Sequence, residues 1–258
     1  MSVQPTPQSE PRRDDVAPHL EAHRSDVDHW ARPVDRLETA ASDGLDTVRG
    51  RQTMGVIQGF GKLWQKTFRV RLAGTQLSPR EVIATWKAEF PSFWPKGNTF
   101  HAPLTGIEPG EVALLAIGLP GGLKLSTGVV IIYADDESFT FMTPQGHTFA
   151  GWVTFSAFDD PAEPGAVVAQ AQILMRAQNP LTEVGLTLGG HRQENAFWQH
   201  TLRALAARLG ADAEPETQVL CVDARRQWRR VGNIRYDGSI RSALWSATAP
   251  VRWLRRRH

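Results

Sequence analysis

The chain has 258 residues, 41% of them hydrophobic and 22% charged, with a formal net charge of +2. That is an ordinary globular composition with room for a sizeable core, and the single cysteine, Cys221, excludes an intrachain disulfide framework and a cysteine-based zinc site. The small net charge hides an asymmetry: residues 1–50 hold six arginines against ten acidic residues, whereas residues 219–258 hold ten arginines against two aspartates.

The segment MSVQPTPQSEPRRDD has no apolar stretch of the secretory kind, and the longest apolar run, residues 112–119, falls short of the ~20 residues of a membrane span. The expectation is a cytoplasmic protein. Residues 1–55 are rich in Pro, Asp, Arg and Ser, with Trp30 as their only aromatic residue. They read as a disordered acidic arm, apart from a short helix allowed around Asp35–Val48. His19 and His23 have helical spacing, but Leu20 stands where a zincin needs Glu, so the stretch reads as a polar tail.

Order is expected from about residue 60. Lys66–Leu72 alternates, placing Phe68, Val70 and Leu72 on one strand face. Ser78-Pro79-Arg80-Glu81 is a capping-box helix start, continued by Val82, Ile83, Trp86 and Phe90 and stopped by Pro91. Phe93 and Trp94 follow on a loop between Pro91 and Pro95. Five strands are then expected at 111–117, 124–134, 137–143, 148–158 and 166–177, separated by short Gly, Pro and Asp turns, which makes an antiparallel meander. In the fourth, Phe149, Val153 and Phe155 point opposite to Trp152, Thr154 and Ser156. A helix over 191–209 carries Trp198, Leu202, Leu205 and Leu209 as a stripe, with Gly210 as its stop. Residues 217–222 suit one more strand, and the remainder, to residue 258, is a basic Arg/Trp extension.

Three stretches go further: Ile107-Glu108-Pro109-Gly110-Glu111-Val112 opens the meander, Phe141-Met142-Thr143-Pro144-Gln145-Gly146-His147 turns within it, and Asn179-Pro180-Leu181 ends it. With the order strand, helix, meander, long helix, they resemble an uncharacterised family of the START-like (SRPBCC) superfamily over residues 65–210. The resemblance implies an α+β helix-grip fold, a curved antiparallel sheet wrapped around the last helix, with a cavity between them. It also implies a small hydrophobic, lipid-like ligand, and brings no catalytic residues with it. The chain departs from that family in the wholly apolar run from Phe149 to Trp152, where a charged residue is expected.

Familiar chemical motifs fail on spacing. Gly59-Phe60-Gly61-Lys62 completes neither a phosphate loop nor a dinucleotide fingerprint, and Lys124 stands where a nucleophile elbow needs Gly. Nothing implies a cofactor or a metal. His191 and Glu194, one helical turn apart, suit a base with its orienting partner or two metal ligands; equally, such residues are common at a helix N-terminus. His101 and His147 are loop histidines near the expected rim. Arg176, with Gln170 and Gln172, anchors a ligand if its strand face is internal and solvates the sheet if it is not.

The expected architecture is an arm over 1–55, a helix-grip domain over 60–215 and an extension over 216–258. The expected pocket is lined by Trp94, Phe141, Trp152 or its opposite-face neighbour Phe155, and Trp198, with His191 and Glu194 at its mouth and His147 and Arg176 as polar candidates. Carriage of a hydrophobic ligand is the leading function, with an enzyme using His191, Glu194 or His147 as acid–base groups in the same cavity as its alternative. The arginines and tryptophans of the extension suit an anionic membrane surface or nucleic acid, and no specific nucleic acid is expected. They also suit a tail docked on the domain with its arginines solvated.

Overall fold

The alternation of Lys66–Leu72 lies within a longer, ten-residue strand, β1 (Leu63–Leu72), in a computed structural model that describes residues 26–32, 36–39, 48–118, 124–238 and 240. Ser78 then caps α1 (Pro79–Glu89): its hydroxyl accepts from the Glu81 amide at 3.3 Å, while the Glu81 carboxylate accepts from the Ser78 amide at 2.8 Å. A 3-10 turn, Phe90–Phe93, carries the chain off the helix. The meander follows as β3 (Val112–Gly118), β4 (Lys124–Ala134), β5 (Ser138–Met142), β6 (Phe149–Asp159) and β7 (Val167–Ala177), within a residue or two of the expected bounds. A three-residue strand precedes it, β2 (Thr99–His101).

After β7 comes a broken helical run: α2 (Pro180–Gly185), a π turn (Leu186–Gly190) and α3 (His191–Arg208). Gly189 sits at φ 126°, a conformation that only glycine adopts cheaply, and there the run kinks. Gly210, at φ 82°, terminates α3. The last strand, β8 (Glu216–Asp223), pairs antiparallel with β1. One eight-stranded sheet results, in the order β2-β3-β4-β5-β6-β7-β1-β8, antiparallel at every pairing. This sheet, packed against α3, makes the expected α+β helix grip.

The main core lies on the sheet face under α1 and α3. Phe68 and Val70 of β1, Phe139 and Phe141 of β5, Phe155 of β6, Ala171 and Ile173 of β7, Trp86 of α1, and Leu202 and Leu205 of α3 form one buried cluster. Its aromatic members meet mainly edge to face, with Phe90 reaching Phe100, Phe139, Phe141 and Phe155 at 4.8–5.7 Å.

The opposite face carries both flanking segments. Leu37 and Val48 bury themselves against Leu114 and Val130, Trp30 packs on Tyr133 at 4.9 Å, and the Ala31 amide donates to Ile132 O at 2.8 Å. The described parts of residues 26–55 are thus docked where the sequence predicts a disordered arm, because a few dispersed apolar residues find a sheet face that neither α1 nor α3 covers. Residues 1–25 and most of the helix expected around 35–48 lie outside the described residues. At the other end the domain extends past residue 215, since β8 is hydrogen-bonded into the sheet. Residues 228–236 then form a 3-10 segment that docks through Asn233, whose Nδ2 donates to Gln58 O and Gln178 O at 2.8 and 2.9 Å.

Candidate functional site

Strand parity decides which side chains face α3. On β1, Trp64 and Lys66 share the face of Phe68 and Val70. Across the sheet at the level of Lys66 stand Ile173, Val153 and Phe141. One level further from α1, Trp64 faces Met175. Toward α1 these levels are closed by the aromatic cluster. At the end where α3 begins they are not fully covered: Trp64, Phe149, Val153 and Trp198 pack on the core yet stay half-buried.

A polar group sits among them. Lys66 is 0% exposed; its ammonium donates to Glu194 Oε2 at 2.7 Å and to Asn195 Oδ1 at 2.8 Å. Burial pushes the Glu194 carboxyl above its ordinary range, opposed by the Lys66 charge and by hydrogen bonds from Lys66 and Trp198. His191, the first residue of α3, lays its ring edge-on against Trp64 at 4.7 Å. Partial burial and the positive charges of Lys66 and Lys62 bring its pKa down to about 4, so the imidazole is neutral at pH 7. Its Nδ1 is buried without a hydrogen-bond partner, and so are the indole nitrogens of Trp94 and Trp86. Interior orphans of this kind are uncommon and call for a partner, such as water or a ligand.

The structure therefore brings together only part of the expected pocket. Phe141 and Phe155 lie on the inner face, wholly within the packed cluster. Trp198 is half-buried under α3 against Phe155 at 5.6 Å, and Trp94 roofs the cluster, meeting Phe197 at 5.0 Å. His191 and Glu194 do sit at the half-covered end. They do not form the expected pair: Glu194 is taken by Lys66 and Trp198, and no hydrogen bond joins the two among the described residues.

Two residues face the other way. Trp152 lies on the outer sheet face opposite Met142 and Leu174, its strand neighbours Gly151 and Val153 taking the inner positions. Arg176, one residue beyond the inward Met175, is also outside. Its guanidinium donates to Gly61 O, Arg225 O and Asp223 Oδ2 at 2.6, 2.9 and 2.7 Å, anchoring the chain after β8. His147, buried in the β5–β6 turn, accepts the Phe149 amide on Nδ1 at 3.0 Å, and burial brings its pKa down to about 4. It shapes the turn that leads to Phe149 and sits at the same end as His191. His101 is exposed on the edge strand β2.

Trp64, Phe149, Val153, Asn195 and Lys66 all belong to the site without being among the expected pocket residues, and Lys66 is the charged one. Its parity with Phe68 carried the signal, but a charged residue near a strand's start reads as solvated, and its partner lies 128 residues away. A cleft at Arg80, Glu81, Ala84, Lys87 and Asp136 lies on the far side of α1, away from this site. No cluster of His, Cys, Asp and Glu among the described residues is arranged to hold a metal ion.

No family model and no curated protein matches the chain. Solved structures do. A START superfamily protein from Mycobacterium smegmatis is similar over 58% of this chain and 98% of its own, at 20% identity and a TM-score of 0.38. The di-domain ARO/CYC StfQ from the steffimycin biosynthetic pathway is similar over 58% of this chain and 53% of its own, at 11% identity and a TM-score of 0.42. Ara h 8.0201 is similar over 56% and 97%, at 13% identity and a TM-score of 0.38.

Proposed function

We propose that the protein binds a small, mainly apolar molecule between the first half of α3 and the inner sheet face, over Trp64, Phe149, Val153 and Trp198. The observation that carries this is the half-burial of Val153. It stands on a central strand, on the core face, beside the fully packed Phe141 and Ile173, where a sealed domain buries every side chain. The orphaned indole N–H of Trp94 is a donor, and the orphaned Nδ1 of neutral His191 a donor or an acceptor by tautomer, for polar atoms on such a ligand. The packed aromatic cluster confines the ligand to this end of the grip, a smaller site than the sequence implies.

A second reading keeps the same site and adds acid–base chemistry. A carboxyl held protonated more readily than usual, a buried amine and a neutral imidazole stand within two turns of one helix and its facing strand. The carrier reading takes precedence because Glu194 is already engaged by Lys66.

A hydrophobic fluorescent probe separates these ideas from a sealed core. It binds the native chain at one site, and Val153→Phe, which fills the uncovered position, weakens it about tenfold or more while the domain stays folded. Equal affinity in the variant, or no saturable binding, contradicts the proposal.

A further inference from the structure

Two apolar ridges on adjoining segments stay in solvent. On the α2–π run, Leu181, Val184 and Leu188 recur at intervals of three and four, so they share one helical face, and all are exposed, Leu188 by 82%. On the 3-10 segment, Trp228, Val231 and Ile234 are three apart, which in a three-residue turn stacks them in one line. They too are exposed, Trp228 by 70%. The segments are bonded to each other: Arg226 Nε to Glu183 Oε1 at 3.0 Å, and Asn179 Nδ2 to Asp237 Oδ2 at 2.5 Å.

Charge decides what such a surface meets. Residues 224–238 carry five arginines and one aspartate, and Asp237 is buried against Asn179. Glu183 is taken by Arg226, and Asp223 by Arg176 and Arg225. The basic side chains Arg225, Arg229 and Arg235 remain exposed. Two copies facing through this surface would set like charges together. An anionic bilayer instead accepts apolar side chains into its interface and arginines at its headgroups.

We propose that this surface, built from α2, the π turn and residues 228–236, rests on an anionic phospholipid membrane. Trp228, Val231, Leu181, Val184 and Leu188 insert, while Arg225, Arg229 and Arg235 meet the headgroups. The placement does not rest on the ligand reading. The π turn runs directly into His191, so membrane contact here lies beside the half-covered end of the grip.

The test is flotation of the full chain with vesicles of phosphatidylcholine, alone or with a minor share of phosphatidylglycerol. Binding to the anionic vesicles is expected, falling as salt rises. Val184→Ser with Leu188→Ser, and separately Trp228→Ser with Val231→Ser, each weaken it by about tenfold or more, since apolar burial sets interfacial affinity. Arg225→Ser with Arg229→Ser weakens it by roughly fivefold per arginine. Three results overturn the proposal: no flotation at low salt; flotation unchanged by both ridge pairs but lost with Arg255, Arg256 and Arg257 changed to Ser, which assigns binding to the tail; or a dimer that the ridge substitutions dissolve, which assigns the surface to a second copy. None of these outcomes bears on probe binding under α3, so the two proposals fail separately.

Discussion

Replacing Lys66 by Met isolates the most costly group in the interior. The variant keeps the aliphatic stem but removes the ammonium that stands 2.7 Å from Glu194, leaving a carboxyl that is itself only 9% exposed. Breaking one side of a buried pair costs about 3–5 kcal/mol, because the remaining charge keeps its desolvation penalty without its partner. For a domain of this size that is a fall of roughly 6–20 °C in melting temperature. The pH dependence gives the finer test. Glu194 binds its proton more tightly folded than unfolded, so its contribution is greatest below the ordinary carboxylate range and declines as pH rises toward its folded pKa. Without Lys66 the folded pKa rises further, and the decline between pH 5 and pH 8 becomes larger than in the parent. Adding Glu194→Leu removes the buried carboxyl and returns stability to near the parent value or above it. Urea unfolding of the parent, both single variants and the double variant, at pH 5 and pH 8, reads all of this. A loss under about 1 kcal/mol for Lys66→Met at pH 8, or an unchanged pH slope, refutes the account of Lys66 as the partner of a buried charge.

Other consequences follow from the packing. Leu37→Ala removes a buried side chain from the outer cluster and lowers stability by about 2–3 kcal/mol, and deleting residues 1–50 costs at least as much; thermal unfolding unaffected by the deletion would show the arm to be idle. Arg176→Ala releases the chain after β8, so trypsin cleaves at Arg225 and Arg229 much faster while probe binding under α3 is unchanged. His147 and His191 resist protonation when folded, so their contributions to stability are lost as pH falls from about 6.5 toward 4. His147→Asn flattens that acid limb by up to about 3 kcal/mol, measured by unfolding at pH 4.5 and pH 7.

The elements written in local pattern were legible in the sequence. Ser78 through Glu81 spells a helix start by hydrogen-bond chemistry within four residues, and the structure makes both bonds. Phe149, Val153 and Phe155 separate from Trp152 because a strand's faces alternate. What escaped the sequence depends on distant partners. Leu37 and Val48 look too sparse to order an arm, and they do so because Leu114 and Val130 leave an outer sheet face open to them. Arg176 reads as either anchor or solvent, and only the return of Asp223 to its side shows that it fastens the chain after β8. The kink at Gly189, too, follows from where α3 must lie, whereas glycines in sequence predict only freedom.

The claim that a ligand lies at the His191 end of the grip is tested most directly by the indole N–H signals of the tryptophans in nitrogen-resolved NMR during titration with a long-chain apolar ligand. Trp64, Trp94 and Trp198 border the proposed site, Trp86 is sealed in the core, and Trp30 and Trp228 lie on other surfaces. The account predicts saturable shifts at Trp64, Trp94 and Trp198, with Trp86, Trp30 and Trp228 still; shifts confined to Trp30 or Trp228, or none that saturate, would contradict it.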